Sequence, residues 1–163
     1  NRDFLLGNDY CSRFDGTLLE DPTVIDLHGT PTLLMHGDSL CTADVEYQKF
    51  RARMRDPQMQ KMMLARPLAE RQLMARQLRE MSMAKNQGKE EYIMDVTPEE
   101  VVKEMEAHGV QRMIHGHTHR PAVHELEAGG KPAKRIVLGD WDENVWWLEV
   151  EPDKEPVLTK HPL

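Results

Sequence analysis

Three histidines occupy alternate positions in the C-terminal half of the chain, as His115, His117 and His119. Residues two positions apart on an extended segment face the same side, and at a strand end His117 and His119 can both point into one cavity. Imidazole is the commonest protein ligand for transition metals. A surface histidine cluster without a chemical role is the alternative. The apolar segment before the cluster and Gly116 within it favour a metal site.

A fourth histidine has similar neighbours earlier in the chain. His36 follows the apolar run 32–35 and precedes Gly37 and Asp38, so a strand is predicted to end there and a loop to begin. Loops at strand ends are common places for catalytic groups. This second strand-end histidine strengthens the prediction of a metal site.

The elements that must position these histidines change in type along the 163 residues. Residues 1–43 contain short apolar runs bounded by Gly and Pro, which predict strands and loops. Residues 44–91 are rich in Met, Gln, Arg, Lys and Ala, have no glycine before Gly88, and predict helices. Pro57 and Pro67 divide that stretch into two or three helices. The helical stretch is therefore an insertion between β segments.

The remaining residues, 92–163, alternate between helix and strand. Thr97-Pro98-Glu99-Glu100 has the composition of a helix start, with Thr as N-cap, Pro in the first turn and Glu at the third position. Gly109 is predicted to end that helix. Four strands are predicted in this part of the chain, at about 111–115, 122–128, 135–141 and 144–151.

Composition and charge exclude several other classes of protein. The net charge of −7 disfavours recruitment of nucleic acid by overall charge. The two cysteines, Cys11 and Cys41, are not in a Cys-x-x-Cys pair, so a zinc knuckle or a redox motif is disfavoured. No apolar run reaches the roughly 18 residues of a membrane-spanning helix.

Several of these motifs together resemble a known superfamily. Asn1-Arg2-Asp3, His36-Gly37 and Gly116-His117-Thr118-His119 resemble the later motifs of the calcineurin-like metallophosphoesterases. Within that superfamily the chain is most similar to the UDP-2,3-diacylglucosamine pyrophosphatases of lipid A biosynthesis. The resemblance implies an α/β fold in which a two-sheet β-sandwich is flanked by helices and carries a helical cap.

The resemblance also implies a division of the chain and a reaction. Residues 1–43 and 92–163 would form the metallophosphoesterase core, and residues 44–91 the helical cap. Water would attack the α-phosphorus of UDP-2,3-diacylglucosamine, which releases UMP and 2,3-diacylglucosamine 1-phosphate. Two Mn²⁺ ions would activate the water and hold the phosphate oxygens.

A set of metal ligands and catalytic groups follows from the resemblance. Asn1, His36 and His117 would bind one metal ion, and His119 would bind the other. His117 would also approach the substrate phosphate. Arg2 would stabilise the charge of the transferring phosphoryl group, because a guanidinium binds phosphate oxygens but does not give up its proton. A surface ion pair with Asp3 is the alternative for Arg2.

Further residues would contact the uridine and the sugar. Ser82, Asn86 and Lys89 are separated by four and three positions, so one face of a helix can present all three. A solvated helix face is the alternative for these residues, and the resemblance favours substrate contacts. The complete set of implied substrate-binding residues is Asn1, Arg2, Asp44, Tyr47, Arg79, Ser82, Asn86, Lys89 and His117.

The methionines and arginines of the cap each have two interpretations. The methionines either fill a small core or line a groove for two acyl chains, as the resemblance favours. The basic side chains either form an ordinary helix exterior or rest on an anionic membrane surface. The resemblance implies peripheral attachment to the cytoplasmic face of the bacterial inner membrane. The basic residues are Arg51, Arg53, Arg55, Lys61, Arg66, Arg71, Arg76 and Arg79.

The first two motifs of the superfamily, Asp-x-His and Gly-Asp, do not occur before Asn1. We therefore expect that roughly the first third of such an enzyme, with the carboxylate that bridges the metals, is absent from this chain. We expect the chain alone to be inactive. Two other functions stay open: a calcineurin-like phosphoesterase for another nucleotide or phosphodiester, and a non-catalytic module that binds nucleotide or lipid.

Overall fold

The strands of the protein form two sheets in a computed structural model that describes residues 5–86 and 91–163. One sheet has five strands in the order β1-β2-β3-β5-β4, and the other pairs β6 with β7. The strands are β1 (Thr23–Leu27), β2 (Thr30–Met35), β3 (Arg112–His115), β4 (Ala122–Ala128), β5 (Lys131–Val137), β6 (Asn144–Glu149) and β7 (Val157–Pro162).

The pairing of the five-stranded sheet brings the ends of three strands to one edge. β2, β3 and β5 are parallel neighbours, while β1 and β4 join them through antiparallel hairpins. Met35 pairs with His115, and His115 pairs with Val137. The chain therefore leaves the sheet at neighbouring points after β2, β3 and β5.

One predicted strand had the wrong bounds, and one strand was missed. β5 runs from Lys131 to Val137 and not over 135–141, because its polar first half pairs with β4 across the Gly129–Gly130 turn. β7 was not predicted at all. Its residues are mostly polar or exposed, and its strand conformation comes from antiparallel pairing with β6 rather than from an apolar pattern.

Three helices fill most of the stretch predicted to be helical. Asp44 and Asp56 accept backbone N–H groups at the starts of the first two, and Pro57 occupies the first turn of the second. The division into a core and a separate cap stays a prediction. The helices of the chain are α1 (Asn8–Cys11), α2 (Val45–Met54), α3 (Pro57–Leu64), α4 (Leu68–Asn86) and α5 (Pro98–Ala107).

α5 covers one face of the five-stranded sheet and closes the core. Met105 of α5, Leu33 of β2 and Met113 of β3 are fully buried in one apolar cluster. Thr97 is the N-cap residue as predicted, but its hydroxyl does not cap the helix. It lies 2.7 Å from the hydroxyl of Thr42 instead and so joins α5 to the loop before α2.

The α/β class predicted from the sequence is confirmed, and the mixed sheet flanked by helices is compatible with a calcineurin-like phosphoesterase fold. Among the helices in the described ranges, none combines the length and the apolar composition needed to cross a membrane.

Candidate active site

Two histidine-bearing loops meet where the parallel strands β2 and β3 end. His36 follows β2, and Gly116 follows β3. The Gly116 N–H donates to the carbonyl of His36 over 3.1 Å, which ties the two loops together. The rings of His36 and His117 consequently lie with their centroids 5.0 Å apart and their planes at 72°. Residues that are 81 positions apart in sequence thus form one site.

The loop after β3 reaches this geometry by a backbone that is not extended. β3 ends at His115, and both His117 and His119 have left-handed backbone conformations, with φ of 65° and 54°. The explanation by strand alternation was therefore wrong for these two residues, although both line one cavity as predicted. His119 Nδ1 also lies 2.9 Å from the carboxylate of Asp140, which orients the ring.

Burial keeps the paired imidazoles in the neutral form. Desolvation, followed by the charge of His36, lowers the pKa of His117 to about 4. Burial also lowers the pKa of His36, against the opposing charge of Asp38. Neutral imidazole is the form that binds a metal ion, so the two rings are ready to bind one near pH 7.

A buried carboxylate holds α2 against the loop that carries His36. The side chain of Asp38 is 2% exposed and lies 3.0 Å from Arg51 Nε and 2.9 Å from Arg55 Nη2. Burial alone would raise the pKa of Asp38, but the hydrogen bond and charge of Arg51 and the charge of Arg55 lower it. Tyr47 donates its hydroxyl to Asp38 over 3.3 Å.

These ion pairs correct the interpretation of the basic helices. The sequence left Arg51 and Arg55 either on an ordinary helix exterior or on a membrane-facing surface, but both are directed inward to Asp38. Arg55 also lies 3.6 Å from Asp21, whose carboxylate accepts the backbone N–H of His36 over 3.1 Å. Arg51 and Arg55 therefore stabilise the loop that carries His36 and do not form part of an exposed basic surface.

A cavity of about 470 Å³ joins the histidine loop to helices α2, α3 and α4. Its lining includes His117 and His119 together with the apolar side chains of Phe50, Met63 and Leu78. Four of the predicted substrate-binding residues besides His117 line this cavity: Asp44, Tyr47, Arg79 and Ser82. The cavity thus offers imidazole, other polar and apolar side chains to a single ligand.

The chain is closely similar to proteins of one named activity. A protein from Marinobacter nauticus is 75% identical over all 163 residues, which span 67% of its length. Proteins from Hahella chejuensis and Cellvibrio japonicus are 54% and 57% identical, over 94% and 91% of this chain and 63% and 62% of their own lengths. All three are named UDP-2,3-diacylglucosamine hydrolase. The chain belongs to the UDP-2,3-diacylglucosamine hydrolase family.

The family predicted from the sequence is thereby confirmed. No family model matches the chain. The chain spans about two thirds of the length of these curated relatives.

Some predicted site residues lie outside the part of the chain that the structure describes. Asn1, Arg2 and Lys89 fall in the undescribed ranges, and Asn86 is described only as the last residue of α4. Within residues 5–86 and 91–163, no group of three or more His, Cys, Asp or Glu side chains could hold a metal ion. The metal-binding prediction therefore rests on the neutral pair of His36 and His117 and on the nearby His119.

The sequence did not single out two polar groups that face the same cavity. Nε of Arg71 and Oγ1 of Thr118 are buried, and neither has a hydrogen-bond partner among the described residues. Both residues line the cavity with His117. A buried polar atom without a partner costs free energy, which a polar ligand would recover. In the sequence, Arg71 was one of several arginines in the helical stretch, and Thr118 was the residue between two predicted metal ligands.

Asp44 and Tyr47 have structural contacts in addition to their predicted roles. The Asp44 carboxylate accepts the backbone N–H of Tyr47 over 3.1 Å and caps α2. Burial, followed by the charge of Asp38, raises the pKa of Tyr47, so its hydroxyl stays protonated and donates. The centroids of the Tyr47 and His117 rings are 5.1 Å apart, and Tyr47 forms part of the cavity wall.

Proposed function

We propose that the protein to which this chain belongs hydrolyses the pyrophosphate of UDP-2,3-diacylglucosamine in lipid A biosynthesis. The products are UMP and 2,3-diacylglucosamine 1-phosphate, formed by attack of water on the α-phosphorus. The activity for which the relatives are named supports this substrate. The observation that carries the proposal is the cavity that joins the histidine loop to the helices.

The lining of this cavity matches the two chemical halves of such a substrate. Arg71, Arg79 and Ser82 offer charge-assisted and neutral hydrogen bonds to a nucleotide and its phosphates. Phe50, Met63 and other apolar side chains offer a surface against which hydrocarbon can be buried. A generic phosphodiester would need only the first half of this lining.

We propose two Mn²⁺ ions as cofactors. His36 and His117 fit one ion because their neutral rings lie close together and both pKa values are lowered. Asn1 is proposed as a further ligand of that ion, and His119 as a ligand of the second. Bound metal would supply a water nucleophile at neutral pH and neutralise charge on the phosphate.

The side chains of the chain have their own parts in the proposed reaction. His117 and Arg2 contact the phosphoryl group, and the guanidinium of Arg2 offsets its growing negative charge. Asp44, Ser82, Asn86 and Lys89 are proposed to contact the uridine and the sugar. Arg79 and Tyr47 hold the substrate against the cavity wall. The helices exclude water from the apolar half.

We also propose that the protein attaches peripherally to the cytoplasmic face of the bacterial inner membrane. A substrate with two acyl chains resides in a membrane, so an enzyme that acts on it must reach the surface. α3 and α4 support this location because several of their apolar side chains are exposed. These are Met62, Leu64, Leu68, Leu73, Met81 and Met83.

The test is an assay on a protein with the full length of the relatives. It is incubated with UDP-2,3-diacylglucosamine and Mn²⁺, with and without chelator, and release of UMP is followed. We expect metal-dependent release that is lost in His117→Ala and kept in His161→Ala, a matched control at an exposed position in β7. Turnover of a simple phosphodiester without release of UMP would remove the lipid substrate. The absence of any turnover would favour a binding module.

A further inference from the structure

His115 is a buried histidine that the proposed reaction does not use. It is the last residue of β3 and is 1% exposed. Its Nε2 lies 3.1 Å from Nη1 of Arg135 in β5, and its Nδ1 lies 2.9 Å from the carbonyl oxygen of Gly116. A guanidinium only donates, so Nε2 is the acceptor and Nδ1 carries the proton that is donated to Gly116. Both nitrogens of the ring are therefore satisfied in one tautomer.

The same ring packs directly against the other histidine-bearing loop. A Cβ placed on Gly37 would lie 2.6 Å from Nδ1 of His115, well inside van der Waals contact. Gly37 also has a φ of 98°, which only glycine adopts without strain. Gly37 directly follows His36, and Gly116 directly precedes His117. One imidazole thus touches the backbone beside each of the two paired histidines.

Arg135 fixes the orientation of this ring from the neighbouring strand. It pairs in register with Met113, two residues before His115, so its side chain lies on the same face of the sheet as the His115 ring. From that position its guanidinium reaches the end of β3 and donates to Nε2. Because β5 is held by pairing on both sides, Arg135 provides a rigid anchor.

We infer that His115 is a positioning residue that, held by Arg135, fixes the His36 loop and the His117 loop at the spacing needed for their rings to act together. This positioning role deepens the proposed function, and it rests on that function for the assignment of the two rings to metal binding. The geometry itself, with ring centroids 5.0 Å apart, does not depend on the identity of the substrate.

Substitutions at position 115 can separate the two hydrogen bonds from simple packing. Asparagine places an amide N–H near the position of Nδ1 and keeps the bond to Gly116. Glutamine places an amide oxygen near Nε2 and keeps the acceptor for Arg135. Leucine fills a similar volume with neither bond. Arg135→Met removes the anchor and leaves His115 in place. His161→Asn, His161→Gln and His161→Leu are matched controls at an exposed histidine.

The first readout is structural and needs neither metal nor substrate. In the full-length protein, nuclear Overhauser contacts between the imidazole protons of His36 and His117 report the ring spacing. We expect these contacts to be lost in His115→Leu and weakened in Arg135→Met. They should be retained in part by the asparagine and glutamine variants and unchanged in the His161 controls. Urea unfolding of each variant identifies any that fail to fold.

The second readout is binding of Mn²⁺, followed by its electron paramagnetic resonance signal. Loss of groups that orient metal ligands lowers affinity by about 10–100-fold, and we expect a loss in that range for His115→Leu. kcat should fall with KM little changed, because the substrate contacts are intact. The double variant with Arg135→Met and His115→Asn should lose no more Mn²⁺ affinity than the more affected single variant. Each substitution removes the same hydrogen bond between positions 115 and 135.

The outcomes separate this inference from the proposed function. Folded His115→Leu and Arg135→Met variants that keep the His36–His117 contacts and wild-type Mn²⁺ affinity would overturn the positioning role. Loss of the His36–His117 contacts and of Mn²⁺ affinity in these variants would support the positioning role, even if the wild-type protein released no UMP. Conversely, wild-type release of UMP that persists in folded His115→Leu would support the function and reject the inference.

Discussion

At the scale of single residues, the site depends on one glycine between His36 and the buried Asp38. Gly37 combines a left-handed φ with a ring packed where a Cβ would lie. Either feature alone would favour glycine, and together they leave no room for another residue. The close approach of the His115 ring to the His36 loop is possible only because of this residue.

We expect Gly37→Ala to destabilise the protein more than an alanine at another left-handed glycine. Gly129 has a φ of 60° and nothing within 4 Å of an added Cβ, so Gly129→Ala measures backbone strain alone, about 1–2 kcal/mol. Gly37→Ala adds the clash with His115 and should cost about 1–3 kcal/mol more. Urea unfolding of both variants measures the difference. Equal costs would show that the His115 ring moves aside freely.

The residues of the site were largely visible in the sequence, but the geometry that groups them was not. His36, His117 and His119 were predicted from strand-end positions; His36 lies beside His117, and His119 lines the same cavity as His117. Local alternation could not reveal the left-handed backbone at His117, because φ there is set by packing of the loop against the His36 loop. Asp38 is buried, and Nε of Arg71 has no hydrogen-bond partner among the described residues. Both features were missed because the surroundings of these residues are remote in sequence.

At the scale of secondary-structure elements, α2 is attached by charge to the loop that follows β2. Asp38 lies three residues after the end of β2, Arg51 lies on α2, and Arg55 directly follows that helix, one turn after Arg51. The residues at 51 and 55 looked like part of an exposed basic face, because a charge pattern does not specify which side of a helix faces the protein. β7 was missed for a similar reason, because its strand conformation depends on pairing with β6 and not on its own sequence pattern.

We expect Asp38→Asn to destabilise the protein by about 2–3 kcal/mol, less than for a fully buried pair because both guanidiniums are partly exposed. Glu46→Gln removes an ion pair with Lys49 whose side chains are 64% and 70% exposed, and should cost little. Chemical denaturation at pH 7 compares the two variants. A cost for Asp38→Asn no greater than that of Glu46→Gln would contradict the proposed attachment of α2.

The attachment of α2 by Asp38 should also depend on pH in a defined direction. The folded protein lowers the pKa of Asp38 below its ordinary value of 3.8, so the ionised form contributes stability above that value. This contribution should disappear as the pH falls through the lowered pKa. The stability difference between the wild type and Asp38→Asn should therefore be constant from pH 7 to about 5 and shrink below about pH 4. A difference that stays constant down to pH 2 would exclude this linkage.

At the scale of the whole molecule, the cavity joins parts that are distant in sequence. The histidine loop follows β3, whereas Arg79 and Ser82 lie on α4. The composition predicted the helical stretch and its division at prolines, and three helices are present there. How α4 is placed over the histidines could not be read from the sequence, because amphipathic spacing does not determine where a helix docks.

We expect Arg79→Ala to weaken substrate binding by about tenfold or more, since hydrogen bonds to charged groups contribute about 1.5–3 kcal/mol. Arg76 lies one turn earlier on α4, is exposed like Arg79 and does not line the cavity, so Arg76→Ala is the matched control. Equilibrium binding of a non-hydrolysable UDP-sugar analogue measures the effect. If both variants bind as the wild type does, the cavity does not receive the nucleotide half of the substrate.

The outer surface of α3 and α4 gives a prediction about the proposed membrane attachment. Met62, Leu68 and Met81 are 58%, 62% and 55% exposed, and inserting each into lipid would bury about half of a large apolar side chain. That corresponds to about 1 kcal/mol, or about fivefold in partitioning, for each residue. We expect a triple substitution by glutamine to reduce cosedimentation of the full-length protein with anionic vesicles by about 100-fold.

The matched control for this surface replaces exposed apolar residues elsewhere. Val123 of β4 and Val157 of β7 are 45% and 55% exposed and lie on the sheets, away from α3 and α4 in sequence. Their replacement by glutamine should leave cosedimentation unchanged if α3 and α4 form the membrane-facing surface. Equal losses from both sets would indicate nonspecific adsorption. If neither set of substitutions reduces cosedimentation, the basic residues would account for the attachment. In that case raising the salt concentration would release the protein from the vesicles.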